Sequence, residues 1–95
     1  MKILVMRINL RASWVHSLKE KRMVTKSIIS KLQNKFNISV CEVENQDLHQ
    51  KITIGISKID LSYSRCDSSI ESIVSYIENN TDAEIIGIED EIIHY

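Results

Sequence analysis

The sequence has no proline and only two glycines among its 95 residues. Gly55 and Gly87 each stand alone in an apolar run, so neither belongs to a glycine-rich loop of the kind that cradles phosphates. The two cysteines, Cys41 and Cys66, lack the spacing of metal ligands, and we expect them to be free thiols. These scarcities argue against a nucleotide-binding loop, a cysteine metal site and cysteine-based catalysis.

Long apolar runs are also missing. The longest, Ile3–Met6 and Ile85–Ile88, fall far short of the roughly 18 residues that span a bilayer. The apolar stretch at the start of the chain ends at Arg7, so we expect it to be too short for the hydrophobic region of a signal peptide. We therefore expect a cytoplasmic protein.

Acidic residues are scarce in the first third of the chain. Up to Phe36 there are nine Lys and Arg against the single acid Glu20, a net charge of +8. The remainder has three basic residues against twelve acidic ones, a net charge of −9. The overall charge of −1 therefore hides a basic first segment and an acidic second one.

Two strands and a helix are predicted in the first half of the chain. Residues 2–10 alternate as in a strand, with the even-numbered residues on the core face. Ser17 and Glu20 form a capping-box pattern that begins a helix, and we expect the helix to end at Phe36. A second strand over residues 38–45 follows.

The second half repeats the pattern. A strand over residues 50–61 forms a hairpin with the preceding one through Gln46–His49. A helix is predicted to begin at the Ser68 cap and to end at Asn79–Asn80, and a last strand covers residues 84–93. The order β-α-β-β-α-β predicts a single α+β domain over residues 1–95, a ferredoxin-like sandwich of a four-stranded antiparallel sheet with two helices on one face.

Several segments resemble the YlxP-like family, small bacterial proteins named as a domain of unknown function. The similarity covers nearly the whole chain, and its segments are Ser17-Leu18-Lys19-Glu20-Lys21-Arg22, Phe36-Asn37-Ile38-Ser39-Val40, Glu42, Gln46-Asp47-Leu48, Gln50 and Ile54-Gly55. The resemblance implies a ferredoxin-like fold and supplies no catalytic residue, since the family has no established reaction. Its gene neighbourhood near translation-initiation and ribosome-maturation genes implies a ribosome-related role by association.

A polar cluster is expected where the start of the first helix meets the hairpin. Its predicted members are Lys21, Arg22, Glu42, Glu44, Gln46 and Asp47. We expect Lys21 and Arg22 to flank the buried helix face and to pair with the hairpin carboxylates. The cluster is either an ion-pair network that pins the helix to the hairpin or the polar pocket of a small enzyme or ligand-binding protein.

A basic surface is the second candidate. Its predicted members are Lys19, Lys26, Lys31, Lys35 and Arg11. A Lys-rich helix face is commonly just solvated, but clustered positive charge also attracts the phosphates of RNA. Stacking of RNA bases on the sheet is disfavoured, because the aromatic residues fall outside the central strands: Trp14, Phe36, Tyr63, Tyr76 and Tyr95.

Two weaker possibilities concern metals and self-association. His16, His49, Glu44 and Asp47 lack the tight spacing of a metal site, and we expect no cofactor. The side of the sheet opposite the helices is expected to carry four apolar residues, Ile3, Val5, Cys41 and Val43. They are either ordinary residual apolar surface or the interface of a homodimer.

The function favoured by the sequence is therefore that of a non-enzymatic binding module. Its expected partner is ribosomal RNA or a ribosome-associated protein, and we expect no membrane partner. The alternative is the small enzyme or ligand-binding protein with a pocket in the polar cluster.

Overall fold

The computed structural model describes all 95 residues and has six elements in the predicted order. They are β1 (Lys2–Arg11), α1 (Leu18–Lys35), β2 (Ser39–Glu44), β3 (Lys51–Asp60), α2 (Tyr63–Asn80) and β4 (Glu84–His94). Neither helix combines the length and apolarity needed to cross a membrane.

The four strands form one antiparallel sheet in the order β2-β3-β1-β4. β1 pairs with β3 in an uninterrupted register from Lys2↔Asp60 to Arg11↔Lys51. β2 and β4 are the two edges of the sheet. This order and the two helices confirm the ferredoxin-like α+β fold.

The core lies between one face of the sheet and the two helices. As the alternation predicted, Leu4, Ile8 and Leu10 of β1 are fully buried and Met6 is 2% exposed. They share the core with buried apolar residues of β3, α1 and α2, namely Ile52, Ile54, Ile56, Ile28, Leu32, Cys66, Ile73 and Ile77. Apolar residues recur at every second position in the inner strands and about every 3.6 positions in the helices, so each of these elements buries one face.

Helix α1 begins at the predicted cap. The Ser17 hydroxyl accepts a hydrogen bond from the Glu20 backbone N–H at 3.1 Å, which satisfies one of the free donors at the helix start. At the other end Phe36 turns to extended backbone, while its N–H still donates to Leu32 O at 2.9 Å. The fully buried side of the helix carries Lys21, Thr25, Ile28 and Leu32.

Helix α2 begins earlier than predicted. Its cap is Ser62, whose hydroxyl accepts from the Arg65 N–H at 3.3 Å, so Ser68 lies within the helix and the prediction of a Ser68 cap was wrong. The sequence signal misled because Ser62 is not followed by an acid at the third position, whereas Ser68 is followed by Glu71. The fully buried Cys66 packs as a small apolar residue and adds a turn to the buried face.

The β1–α1 connection and the β2–β3 connection meet at one end of the sheet. The Ala12 N–H donates to Gln50 O at 2.8 Å. The Gln50 side-chain amide donates to Ser13 O and Val15 O, both at 3.1 Å. The polar cluster predicted from the sequence therefore has its segments in contact.

Candidate functional site

Lys21 lies at the centre of the contact between α1 and the β2–β3 connection. The side chain is completely buried, and its ammonium nitrogen lies 2.6 Å from Glu42 Oε2 and donates to Asn45 O at 2.6 Å. Glu42 Oε2 is buried as well, and no other donor bonds to it. A charge removed from water is tolerated only with an opposite charge beside it, so the two residues depend on each other.

A chain of hydrogen bonds continues from this pair to the far side of the sheet. Asn45 has a left-handed backbone, with φ of 61°, a conformation that asparagine tolerates better than most residues. Its side-chain amide donates to Thr53 Oγ1 at 2.7 Å, and the Thr53 hydroxyl donates to Asn9 Oδ1 at 2.7 Å. The chain fixes the turn that supplies the Lys21 acceptor. It has no sequence motif that could have revealed it.

The other four members of the predicted polar cluster are exposed and are not part of the Lys21–Glu42 ion pair. Arg22 is exposed on the outer side of α1, and Gln46 and Asp47 are exposed on the β2–β3 connection. The Gln46 side-chain amide donates to Glu42 O at 3.5 Å. Glu44 points to the sheet face away from the helices, where its carboxylate lies 3.5 Å from Arg7. The structure therefore brings together Lys21 and Glu42, with Gln46 beside the Glu42 backbone, and not all six residues.

The arrangement around Lys21 is therefore a closed ion pair. The groove at this end of the molecule is lined instead by Val15, His16 and residues 48–51. No group of three or more His, Cys, Asp or Glu side chains is placed to hold a metal ion. The ion-pair interpretation of the cluster fits this geometry, because Lys21 pins α1 to the hairpin.

The predicted basic residues divide into three groups. At about 100° per residue, Lys19 and Lys26 project outward from α1. Lys31 and Lys35 lie on the side toward α2, where Lys31 Nζ donates to Asn80 O at 2.8 Å. Arg11 is at the end of β1, next to Lys51 and Glu84 in the register.

Arg22 joins Lys19 and Lys26 on the outer side of α1. These three residues, which we call the basic stripe, follow the i, i+3, i+7 spacing that places side chains in a row on one helix face. All three are exposed, and none lies within 4.0 Å of a carboxylate, since the four ion pairs of the molecule involve other residues. The sequence pattern placed Arg22 in the polar cluster instead, because it predicted that Lys21 would flank the buried face of α1, whereas Lys21 lies within that face.

Helix α2 carries the opposite charge on its outer side. Asp67, Glu71 and Glu78 are exposed and fall within about 40° of one another around the helix. We call them the acidic stripe, and none of them is in an ion pair. The two helices form one layer, so the layer is basic on one side and acidic on the other.

A second buried carboxylate holds α2 at the opposite end of the sheet. Asp60 accepts hydrogen bonds from Lys58 Nζ at 2.6 Å and from the Ser69 hydroxyl at 3.0 Å. Burial by itself raises the pKa of a carboxyl, but these bonds and the charges of Lys58 and Arg65 outweigh it and lower the pKa of Asp60. Burial raises the pKa of the neighbouring Cys66 thiol, which therefore stays protonated at neutral pH.

The side of the sheet opposite the helices is partly apolar. Val5 is 38% exposed and Val43 is 42% exposed, and both line a shallow groove of about 550 Å³. Arg7 crosses this face between Glu44 at 3.5 Å and Glu89 at 3.6 Å. The homodimer through this face stays a prediction, which the molecular mass of the native protein and of Val5→Lys in solution would test.

The chain is similar in sequence to a family described as of unknown function and to one protein described as uncharacterized. Residues 3–90 match the family model described as protein of unknown function (DUF503). The uncharacterized protein YlxP of Bacillus subtilis strain 168 is 35% identical over 68 residues, which cover 72% of this chain and 74% of that protein.

Two solved structures are similar in outline. The de novo designed protein Foldit4 has a TM-score of 0.49 at 16% identity, with 100% of this chain and 99% of that chain covered. A REP-associated tyrosine transposase bound to a REP hairpin has a TM-score of 0.46 at 12% identity, with 98% of this chain and 56% of that chain covered. At these TM-scores neither likeness supports a conclusion about this chain. The family match and the identity to YlxP do: this chain belongs to the DUF503 family.

Proposed function

We propose that the protein is a cytoplasmic, non-enzymatic module that binds structured RNA, with ribosomal RNA as the expected partner, through the basic stripe of α1. The observation that carries the proposal is the row of three exposed cations, Lys19, Arg22 and Lys26, without a carboxylate within 4.0 Å. Cations that no acid neutralises are free to bind phosphates and to release the counterions condensed on RNA.

The rest of the molecule favours a defined orientation on such a partner. The acidic stripe of α2 and the acids of β4 repel phosphates, so only the α1 side can approach an RNA backbone closely. A molecule with net charge of −1 also gains little from indiscriminate attraction to nucleic acid. Both features support binding at one surface.

Sedimentation of a bacterial lysate through sucrose gradients at low and moderate salt tests the proposal without naming a ribosomal site. The native protein is expected to migrate with a ribosomal subunit at low salt and to leave it as salt rises. The variant Lys19→Gln/Arg22→Gln/Lys26→Gln is expected to stay at the top of the gradient.

A matched variant separates the stripe from total charge. Lys35→Gln/Lys51→Gln/Arg65→Gln removes the same three charges from exposed positions outside the stripe, and it is expected to sediment like the native protein. Native protein that stays at the top at every salt concentration, or two triple variants that behave alike, would show that the stripe is only a solvated helix face.

A further inference from the structure

The β4 edge of the sheet is long and open. β4 has 11 residues, whereas the opposite edge strand, β2, has six and is interrupted by a bulge between Glu42 and Glu44. The bulge in β4 lies near its beginning, between the pairs Leu10↔Ile85 and Asn9↔Gly87, so that the register with β1 is continuous from Gly87 to His94. An unblocked edge strand is a template for pairing with another chain.

The hydrogen bonds between Met1 and Tyr95 indicate which backbone groups of β4 are free. Met1 and Tyr95 exchange two hydrogen bonds, each of 2.9 Å. Because hydrogen-bonded pairs alternate along an antiparallel ladder, Glu89 and Glu91 also bond to β1. The N–H and C=O groups of the alternate residues Ile88, Asp90, Ile92 and His94 therefore point away from β1, toward the open edge.

The side chains of this edge combine apolar and acidic character. The exposed acids Glu89, Asp90 and Glu91 lie between Ile88, which is 41% exposed, and the half-buried Ile92. Ile93 follows and is 40% exposed. Only Glu89 has an ion-pair partner, Arg7 at 3.6 Å. A strand added here would therefore meet three consecutive carboxylates between two isoleucines.

This charge pattern selects the occupant. A second copy of β4 paired antiparallel with Asp90 opposite Asp90 would place the acidic runs directly opposite each other, and like charges in that position are destabilising. RNA phosphates would be repelled as well. We propose that β4 binds an extended lysine- and arginine-rich peptide segment as a fifth strand, with apolar residues on both sides of its basic residues. The backbone supplies affinity and the side chains supply specificity, as in other cases of strand addition.

A labelled peptide with the core Val-Ile-Lys-Arg-Lys-Val, flanked by Gly and Ser, tests this inference by fluorescence anisotropy. In antiparallel alignment the isoleucine and arginine amides face β4, opposite Ile92 and Asp90, whereas the two lysine amides face away. Methylating the isoleucine and arginine amide nitrogens is expected to weaken binding at least about tenfold, because two hydrogen bonds are lost. Methylating the lysine amide nitrogens is expected to leave it nearly unchanged.

Two measurements on the protein complete the test. Hydrogen exchange followed by NMR should show new protection at the amides of Ile88, Asp90 and Ile92. The variant Glu89→Gln/Asp90→Asn/Glu91→Gln should bind the peptide more weakly than Asp67→Asn/Glu71→Gln/Glu78→Gln, which removes equal charge from the acidic stripe. Absence of binding, equal binding of the two methylated peptides, unchanged protection, or equal effects of the two triple variants would overturn the proposal. None of these outcomes depends on whether the basic stripe binds RNA.

Discussion

The two halves of the molecule are built alike and charged oppositely. Each has an 18-residue helix that begins at a serine cap and is held to the sheet by one buried carboxylate with a lysine beside it. The α1 half carries the basic stripe on its outer side, whereas the α2 half carries the acidic stripe and the acidic edge of β4. The shared features are those that fix the fold. The features that differ are on the surface, and that is where binding is to be sought.

The largest loss of stability is expected when the buried ion pair of the α1 half is broken. Lys21→Met leaves the Glu42 carboxylate buried without a counter-charge, and breaking a buried pair in this way costs about 3–5 kcal/mol. Urea unfolding measures the loss. Arg22→Met, one residue away and exposed, should change the free energy of unfolding by less than about 0.5 kcal/mol. Equal effects of the two variants would mean that Lys21 is not buried against Glu42.

The α2 half is expected to respond to acid. The pKa of Asp60 is lower in the folded protein than in the unfolded chain, so its stabilising contribution is present above the unfolded pKa of about 4 and is lost as pH falls through the folded value. Asp60→Asn should cost about 1–3 kcal/mol at neutral pH. Urea unfolding at several pH values should show that the difference in the free energy of unfolding between the native protein and the variant decreases below about pH 4. A difference in the free energy of unfolding that increases on acidification would contradict a lowered pKa of Asp60.

The sequence could predict the parts of this account that rest on periodicity. The alternation in β1, the Ser17 cap and the strand-forming segments at residues 38–45, 50–61 and 84–93 are local signals, and together they were enough to give the element order and the fold. The second helix start was mistaken because the better capping pattern, at Ser68, lies inside the helix. Arg22 was misplaced because the buried face of α1 is centred on a charged residue, Lys21, and hydrophobic periodicity does not register a buried lysine.

The two glycines should respond to substitution in opposite ways. A Cβ on Gly55 would lie 2.6 Å from Val43 Cγ1, whereas a Cβ on Gly87 would meet only Asn9 atoms at 3.6 Å or more. Gly55→Ala should therefore destabilise the protein by about 1–3 kcal/mol through overpacking at the β2–β3 pair. Gly87→Ala, at ordinary contact distance and with no positive φ, should stabilise it by about 0.4–1 kcal/mol. Thermal unfolding of both variants checks the contrast, and two shifts of the same sign would contradict it.

The helix caps should show the smallest effect and the closest similarity between the halves. Ser17→Ala and Ser62→Ala each remove one hydrogen bond to a helix N–H and should each cost about 1 kcal/mol. Ser68→Ala, inside α2 and exposed, should fall within about 0.5 kcal/mol of the native protein. If Ser68→Ala costs more than Ser62→Ala in urea unfolding, α2 begins at the position that the sequence predicted.

The salt dependence of RNA binding tests the proposed function of the α1 half most directly. The dissociation constant of the native protein for a structured ribosomal RNA fragment would be measured across a range of salt concentrations. Lys19→Gln/Arg22→Gln/Lys26→Gln should reduce the slope of log K against log salt by about 2–3, since each phosphate contact contributes about 0.7–0.9. The control Lys35→Gln/Lys51→Gln/Arg65→Gln should keep the native slope. A native protein that does not bind, or equal slopes for the native protein and the stripe variant, would contradict the account.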